Sequence, residues 1–420
     1  MTNAELITLP NGVRVALDPL PGLQTVALGA WIKVGARWES AAQNGVAHLF
    51  EHMAFKGGGD RDARQLVEAI EAVGGYMNAA TSYERTSYYA RALGRDAVFA
   101  LDLIADVILA PRWTDEELEK EKGVVSQERG EALDQADDRV FELHQTALFA
   151  GQPLGRPVLG EEETLAPIRV VDLESFKAQH YAPSRTVISV AGDFDRAAIL
   201  ELATRRFGAL EARADIPPPA AIAHAGALTE ARKLEQTHIA LSWPGPAAGA
   251  DALYAARLLA EIYGGGMASR LFQEVREEHG LVYQIDSYLD PYEDIGRFGV
   301  YAACAPKHAD EVIRRSTDIL QALAVHGPTE TEILRAKAVV TAQMLMGAET
   351  PMSRAENRAS QVLLRGEVLD LAEVRAKVEA VTFDDLRAVA RTAVAGPAAA
   401  SAVGPKAGLA AAERFPALFA

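Results

Sequence analysis

One internal correspondence restricts the fold more than any other feature of this chain. The segment ELEKEKGVVSQE, Glu117 to Glu128, lies without a gap on EILRAKAVVTAQ, Glu332 to Gln343. Glu117 falls on Glu332, Lys122 on Lys337, and Val124-Val125 on Val339-Val340. Each segment follows an apolar helical run and a proline-containing turn, APRWTDE in one half and HGPTETE in the other. Such self-similarity marks a duplicated structural unit. Between the copies the periodic pattern lapses into ADIPPPAAIAHAGA, where Pro217 to Pro219 remove three successive amide donors and stop both helix and central strand. The expected organisation is two homologous domains, residues 1–212 and 230–420, joined by a proline-rich linker at 213–229. A chain of 420 residues is long enough for each domain to bury its own core.

Within each half, strand patterns are followed by helical ones. GVRVALDPL and TVALGAWIKVG read as strands, and GVAHLFEHMAF begins a helix. DARQLVEAIEAVG is a second helix with Gly74 past its end, and GYMNAATSYERTSYYARAL reads as a hairpin of two strands. Further on, TVISVAGDF, THIALSWPG and FGVYAACAP are strands. The expected class is α+β, each domain a mixed or antiparallel sheet packed with helices.

The chemistry concentrates in HLFEHMAFKG, His48 to Gly57. At about 100° per residue His48 and His52 stand one turn apart on one helix face. Two imidazoles at that spacing can share one Zn²⁺ at about 2.0–2.1 Å, which leaves Glu51 to act on water. The pattern is H-x-x-E-H, the inverse of the H-E-x-x-H zinc helix. The bland alternative is an amphipathic helix with two surface histidines.

The repeat helps to find a third ligand. Glu128 has Gln343 as its counterpart, and Glu121, one heptad earlier on nearly the same face, has Ala336. The half that carries the histidines keeps both carboxylates and the other half keeps neither, as a division of labour would leave them. A merely solvated, charged helix from Thr114 to about Leu133 is the competing reading.

The histidine helix and the distant Glu128 resemble the zinc peptidases of family M16, the pitrilysin/insulinase family. Within it, the chain resembles the short processing-peptidase branch, that of the mitochondrial processing peptidase β subunit. The resemblance runs from LPNGVRV to the second repeat. It implies a LuxS/MPP-like clam-shaped chamber of two homologous domains, with zinc on the first and a closing surface on the second. It implies His48, His52 and Glu128 as zinc ligands, Glu51 as catalytic base, and Glu121 as support to a zinc histidine. In MNAATSYERTSYYA it implies that Asn78 and Ala79 hold a peptide by strand addition. In GGGMASRLFQEVREEHGLVYQI it implies that Arg276 and Tyr283 reach the substrate and serve catalysis. Asp138 and Glu142, at i and i+4, match acidic positions that receive a substrate arginine near the cleavage point; as residues alone they read as a solvated helix face.

Taken together, these residues lead to a zinc metalloendopeptidase with one Zn²⁺ per chain, acting on short or unfolded peptides with a preference for arginine. The alternative is a non-catalytic peptide-binding or core subunit of the same fold that acts with a partner. A zinc lyase acting on a small thioether would need a cysteine nearby, and Cys304, the single cysteine, lies in the other half. That lone thiol also excludes an internal disulfide. The net charge of −16 argues against a nucleic-acid partner. The apolar runs TVALGAWIKVGA and AVFALDLIADVILA are broken by Lys33 and by Asp102 and Asp106, so no membrane span is expected. The start has no secretory pattern. A cytoplasmic location is the corresponding expectation, and the resemblance to the processing-peptidase branch, with both half-sites on one chain, implies a homodimer.

Overall fold

The computed structural model describes residues 4–419. They form two compact units, each built on one sheet. The first unit comprises residues up to Arg129, Arg156–Pro219 and Leu345–Leu371. Its strands are β1 (Glu5–Thr8), β2 (Arg14–Pro19), β3 (Thr25–Ile32), β4 (Tyr76–Thr81), β5 (Thr86–Leu93) and β6 (Thr186–Gly192). They lie in the order β1-β2-β6-β3-β5-β4, with β2 and β6 parallel and the other neighbours antiparallel.

The centre of this sheet explains the nearly unbroken apolar sequence VALGAWI. Strand residues alternate between faces, and both faces of β3 are covered. Val26, Leu28, Ala30 and Ile32 enter the main core. That core also receives apolar side chains from α1 (Val46–Ala54), α2 (Ala63–Ala72), α3 (Ala97–Leu109) and α4 (Asp115–Asp134). Ala27 and Trp31 face the other way and meet Ala355, Ala359 and Val362 of the helix Pro351–Arg365. A charged clasp fixes that helix to the sheet: Arg354 donates to both oxygens of the buried Asp18 at 2.7 and 3.0 Å, and Arg358 Nε donates to it at 3.0 Å.

The second unit comprises Gly130–Gly155, Ala220–Met344 and the chain from Ala372. Its strands are β7 (Gly226–Ala231), β8 (Thr237–Gly245), β9 (Val282–Pro291), β10 (Gly296–Cys304) and β11 (Ala399–Gly404). The order β7-β11-β8-β10-β9 opens with a parallel pair and continues antiparallel, the same sequence of pairings as β2-β6-β3-β5-β4. The two units therefore repeat one topology, and the α+β class with two sheet-containing domains holds.

The units are not contiguous in sequence, which departs from the expected division at 213–229. Helix α5 (Ala136–Leu148) follows α4 in the first half yet packs on β7, β8 and β11 of the second unit. The helix Pro351–Arg365, which follows the equivalent long helix Glu330–Gly347, packs on β2, β3 and β6 of the first. Each sheet thus has its second apolar face covered by a helix from the other half of the chain. The expected linker is also shorter at its end, because Gly226–Ala231 pairs as strand β7 with β11.

Candidate active site

The site begins with how α1 starts. Gly45, at φ 96°, turns the chain in a left-handed conformation, and a Cβ there would come within 2.8 Å of the Gly160 Cα. Glu39 supplies the cap from outside the helix. Its Oε2 accepts from the Gly45 N–H and the Asn44 side-chain amide, and its Oε1 accepts from the Ala47 N–H, each at 2.8 Å. An anionic acceptor at a helix N-terminus answers the unpaired amides there. Burial pushes this carboxyl up to about 7 against the pull of those three donors.

With its start held in this way, α1 turns His48 and His52 toward α4. There Leu118, Glu121 and Val125 are buried on one stripe, and Glu128 continues it one turn later. His52 Nε2 lies 3.3 Å and His48 Nε2 3.7 Å from Glu128 Oε2, and the three ligand atoms all lie within 4.8 Å of one another. A tetrahedral ion with bonds of about 2.0–2.1 Å separates neighbouring ligand atoms by roughly 3.3–3.4 Å, so this donor set has the size and the composition for zinc. Burial, and the neighbouring His52, lower the His48 pKa to about 4, which keeps its ring neutral.

The second nitrogen of His52 is also held. His52 Nδ1 is 3.1 Å from Glu121 Oε2, and Glu121 Oε1 in turn accepts from Lys56 Nζ at 2.6 Å. A carboxylate on Nδ1 sets the tautomer that leaves Nε2 free to ligate. Lys56 was not singled out from the sequence. It lies four residues after His52, and that helical spacing was the available signal. Glu39 was missed as well, since no local pattern ties a residue nine positions before His48 to the first turn of its helix.

Glu51 lies on the same helix with its carboxyl pKa raised, mainly by burial. Beside it, β4 forms the free edge of the sheet. Asn78 projects outward and donates to the Tyr76 hydroxyl at 2.7 Å, while its Oδ1 accepts from the Ala79 N–H at 2.9 Å. The structure thus brings His48, His52, Glu128, Glu51 and Glu121 together, with Asn78 and Ala79 on the edge strand of the same unit.

The other expected residues belong to the second unit. Arg276 stacks on Phe272 at 4.5 Å and on Tyr283 at 5.4 Å, and Tyr283 is 77% exposed. Asp138 is exposed on α5, whereas Glu142 accepts from Arg139 at 2.5 Å, and Arg139 also donates to Glu230 at 2.7 Å. An incoming arginine would compete with Arg139 for Glu142.

Comparison with known proteins bears on the family, the fold and the metal. Residues 14–162 match the family described as "Insulinase (Peptidase family M16)", and residues 168–340 match "Peptidase M16 inactive domain". An uncharacterized zinc protease of Mycobacterium tuberculosis is 35% identical over 404 residues, covering 95% of this chain and 92% of that protein. An uncharacterized zinc protease of Bacillus subtilis is 35% identical over 387 residues, covering 91% and 94%. The fold is shared with a protease from Helicobacter pylori, at a TM-score of 0.88 and 22% identity over 96% of this chain and all of that one. Zinc is thus both the metal that the relatives' names carry and the one that two imidazoles and a carboxylate suit. The duplicated sheet topology, the histidine pair facing a glutamate, the two family matches, and 35% identity over nearly the whole chain to proteins named zinc proteases lead to one assignment: the chain belongs to peptidase family M16.

Proposed function

We propose that the chain is a zinc metalloendopeptidase whose metal ligands are His48, His52 and Glu128 and whose general base is Glu51, within an inverted H-x-x-E-H motif. The observation that carries this reading is the convergence of two imidazole nitrogens and one carboxylate at separations that fit a tetrahedral ion, beside a half-buried glutamate. Zinc, when bound, supplies Lewis acidity that lowers the pKa of a water and draws charge from the scissile carbonyl.

The chain's own groups do the rest. Glu51 takes a proton from the attacking water as its oxygen bonds to the carbonyl carbon, then delivers that proton to the amine as the C–N bond breaks. Burial raises the Glu51 pKa and makes it a stronger base than an exposed carboxylate. Glu121 orients His52. The edge of β4 at Asn78 and Ala79 offers main-chain pairing to an extended peptide, which favours short or unfolded substrates. Arg276 and Tyr283, preorganised by stacking, contribute to substrate binding and to stabilising charge on the carbonyl oxygen. Asp138 and Glu142 favour a substrate arginine, and the working form is a cytoplasmic homodimer. No helix among the described residues is long and apolar enough to cross a membrane.

The test is cleavage of a quenched, arginine-containing peptide library by purified protein, beside Glu51→Gln, with metal analysis of both. The expected result is cleavage by the wild type and loss of cleavage with zinc retained in Glu51→Gln. Zinc in both proteins and cleavage by neither would replace this reading with that of a non-catalytic peptide-binding subunit.

A further inference from the structure

The row of side chains that β4 turns toward α1 contains one residue that does not fit the row. Alternation along the strand sends Tyr76, Asn78 and Ala80 outward, and all three are exposed. Met77 and Ala79 point inward and join the main core. Thr81 occupies the next inward position, where the pattern calls for an apolar group, and instead presents a hydroxyl. It sits at the hairpin end of the strand, paired with Thr86 on β5.

The group it acts on is the carboxylate of Glu51. Strand β4 packs directly against α1. Both the side chain and the main-chain N–H of Thr81 act on the Glu51 carboxylate, and each opposes the effect of its burial. The contact is nevertheless incomplete. Thr81 Oγ1 and Glu51 Oε2 are both buried and neither has a hydrogen-bond partner. Two buried, unsatisfied polar atoms from adjacent elements are costly unless a small movement or a bound group completes them. The buried hydroxyls of Tyr88 and Tyr181 bond to each other at 3.0 Å, and the Glu51 charge acts on both.

We propose that Thr81 is a positioning residue for the general base: its hydroxyl donates to the Glu51 carboxylate and holds it in one orientation when a peptide lies along the edge of β4. The same strand would then do two things, pairing with substrate through its outer edge and steadying the base through its inner face. The hydroxyl takes no proton and touches neither substrate nor metal. Its effect passes through Glu51.

This inference rests on the peptidase reading, and its test separates the two. Thr81→Val keeps the β-branched shape and the main-chain N–H while removing the hydroxyl; Thr81→Ser keeps the hydroxyl. Steady-state cleavage of one quenched peptide, zinc content and thermal midpoint are measured for both variants and the wild type. The expected result is a fall in kcat of about tenfold or more for Thr81→Val, the scale of a lost hydrogen bond to a charged group, with KM and zinc content unchanged and most of kcat recovered in Thr81→Ser. A Thr81→Val kcat within twofold of wild type overturns the proposal, and so does an equal loss in both variants. A wild type that holds zinc and cuts nothing overturns the peptidase reading and this inference together, an outcome distinguished by the wild type itself.

Discussion

Replacing Glu121 by glutamine should weaken zinc binding about tenfold while leaving the fold intact. Glu121 is buried, with one oxygen 3.1 Å from His52 Nδ1 and the other 2.6 Å from Lys56 Nζ. Glutamine keeps a carbonyl oxygen for the imidazole N–H but turns a charge-assisted bond into a neutral one. Charged bonds contribute about 1.5–3 kcal/mol and neutral ones about 0.5–1.5, so the difference is about 1–1.5 kcal/mol, or roughly tenfold. Two further effects act in the same direction: the Nδ1–H is less polarised, which makes Nε2 a weaker donor, and the Lys56 ammonium is left uncompensated near a dication. Glu121→Ala removes the acceptor altogether and should approach the upper end of the 10- to 100-fold range for outer partners of metal ligands. Competition with a chromophoric chelator measures both affinities, and unfolding midpoints of the metal-free proteins control for the fold. If both variants bind zinc within twofold of wild type, Glu121 does not set the donor strength of His52 and the reasoning fails.

Other parts of the molecule give equally direct expectations. His144 is buried in the second unit, 2.7 Å from the Ser242 hydroxyl, and burial followed by the nearby Arg297 charge lowers its pKa well below the ordinary value. The unfolded chain therefore binds a proton that the folded chain refuses, so stability falls as pH drops below about 6.5. Urea titrations at pH 7 and 5 should show a smaller difference in stability in His144→Gln than in the wild type. Asp18→Asn leaves Arg354 and Arg358 facing a neutral group and should cost about 3–5 kcal/mol; a thermal midpoint within a degree of wild type would refute the clasp. Gly45→Ala forces a side chain into a left-handed turn against Gly160. It should destabilise by at least about 1 kcal/mol and lower zinc occupancy, both read from one metal-loaded melting series.

The parts of the site that could be read from the sequence are those carried by a helical period. The histidine pair stands on α1 and the two glutamates on α4 because spacings of four and seven residues return a side chain to the same face. The central strand β3 was legible for another reason, because two covered faces leave an apolar run such as VALGAWI, whereas the short edge strand β1 was not read from the sequence. What escaped was pairing between distant segments. Nothing near Glu39 says that its carboxylate caps α1, and a threonine closing an alternating strand looks ordinary until a glutamate is seen behind it. The exchange of α5 and Pro351–Arg365 was hidden for a related reason. An amphipathic helix announces that it has a face to bury, but not which sheet will receive it.

That exchange also sets an order of events during synthesis. The last sheet strand of the first unit, β6, ends at Gly192, but the helix that covers Ala27 and Trp31 ends only at Arg365. At about 5–20 residues per second, the intervening chain takes a ribosome on the order of ten seconds or more to make. Through that interval a nearly complete sheet carries an uncovered apolar face, with Asp18 lacking both of its arginines. A nascent chain in this condition is a natural client for a holdase, and folding of the metal-binding unit is gated by translation of a helix that contributes no ligand to it.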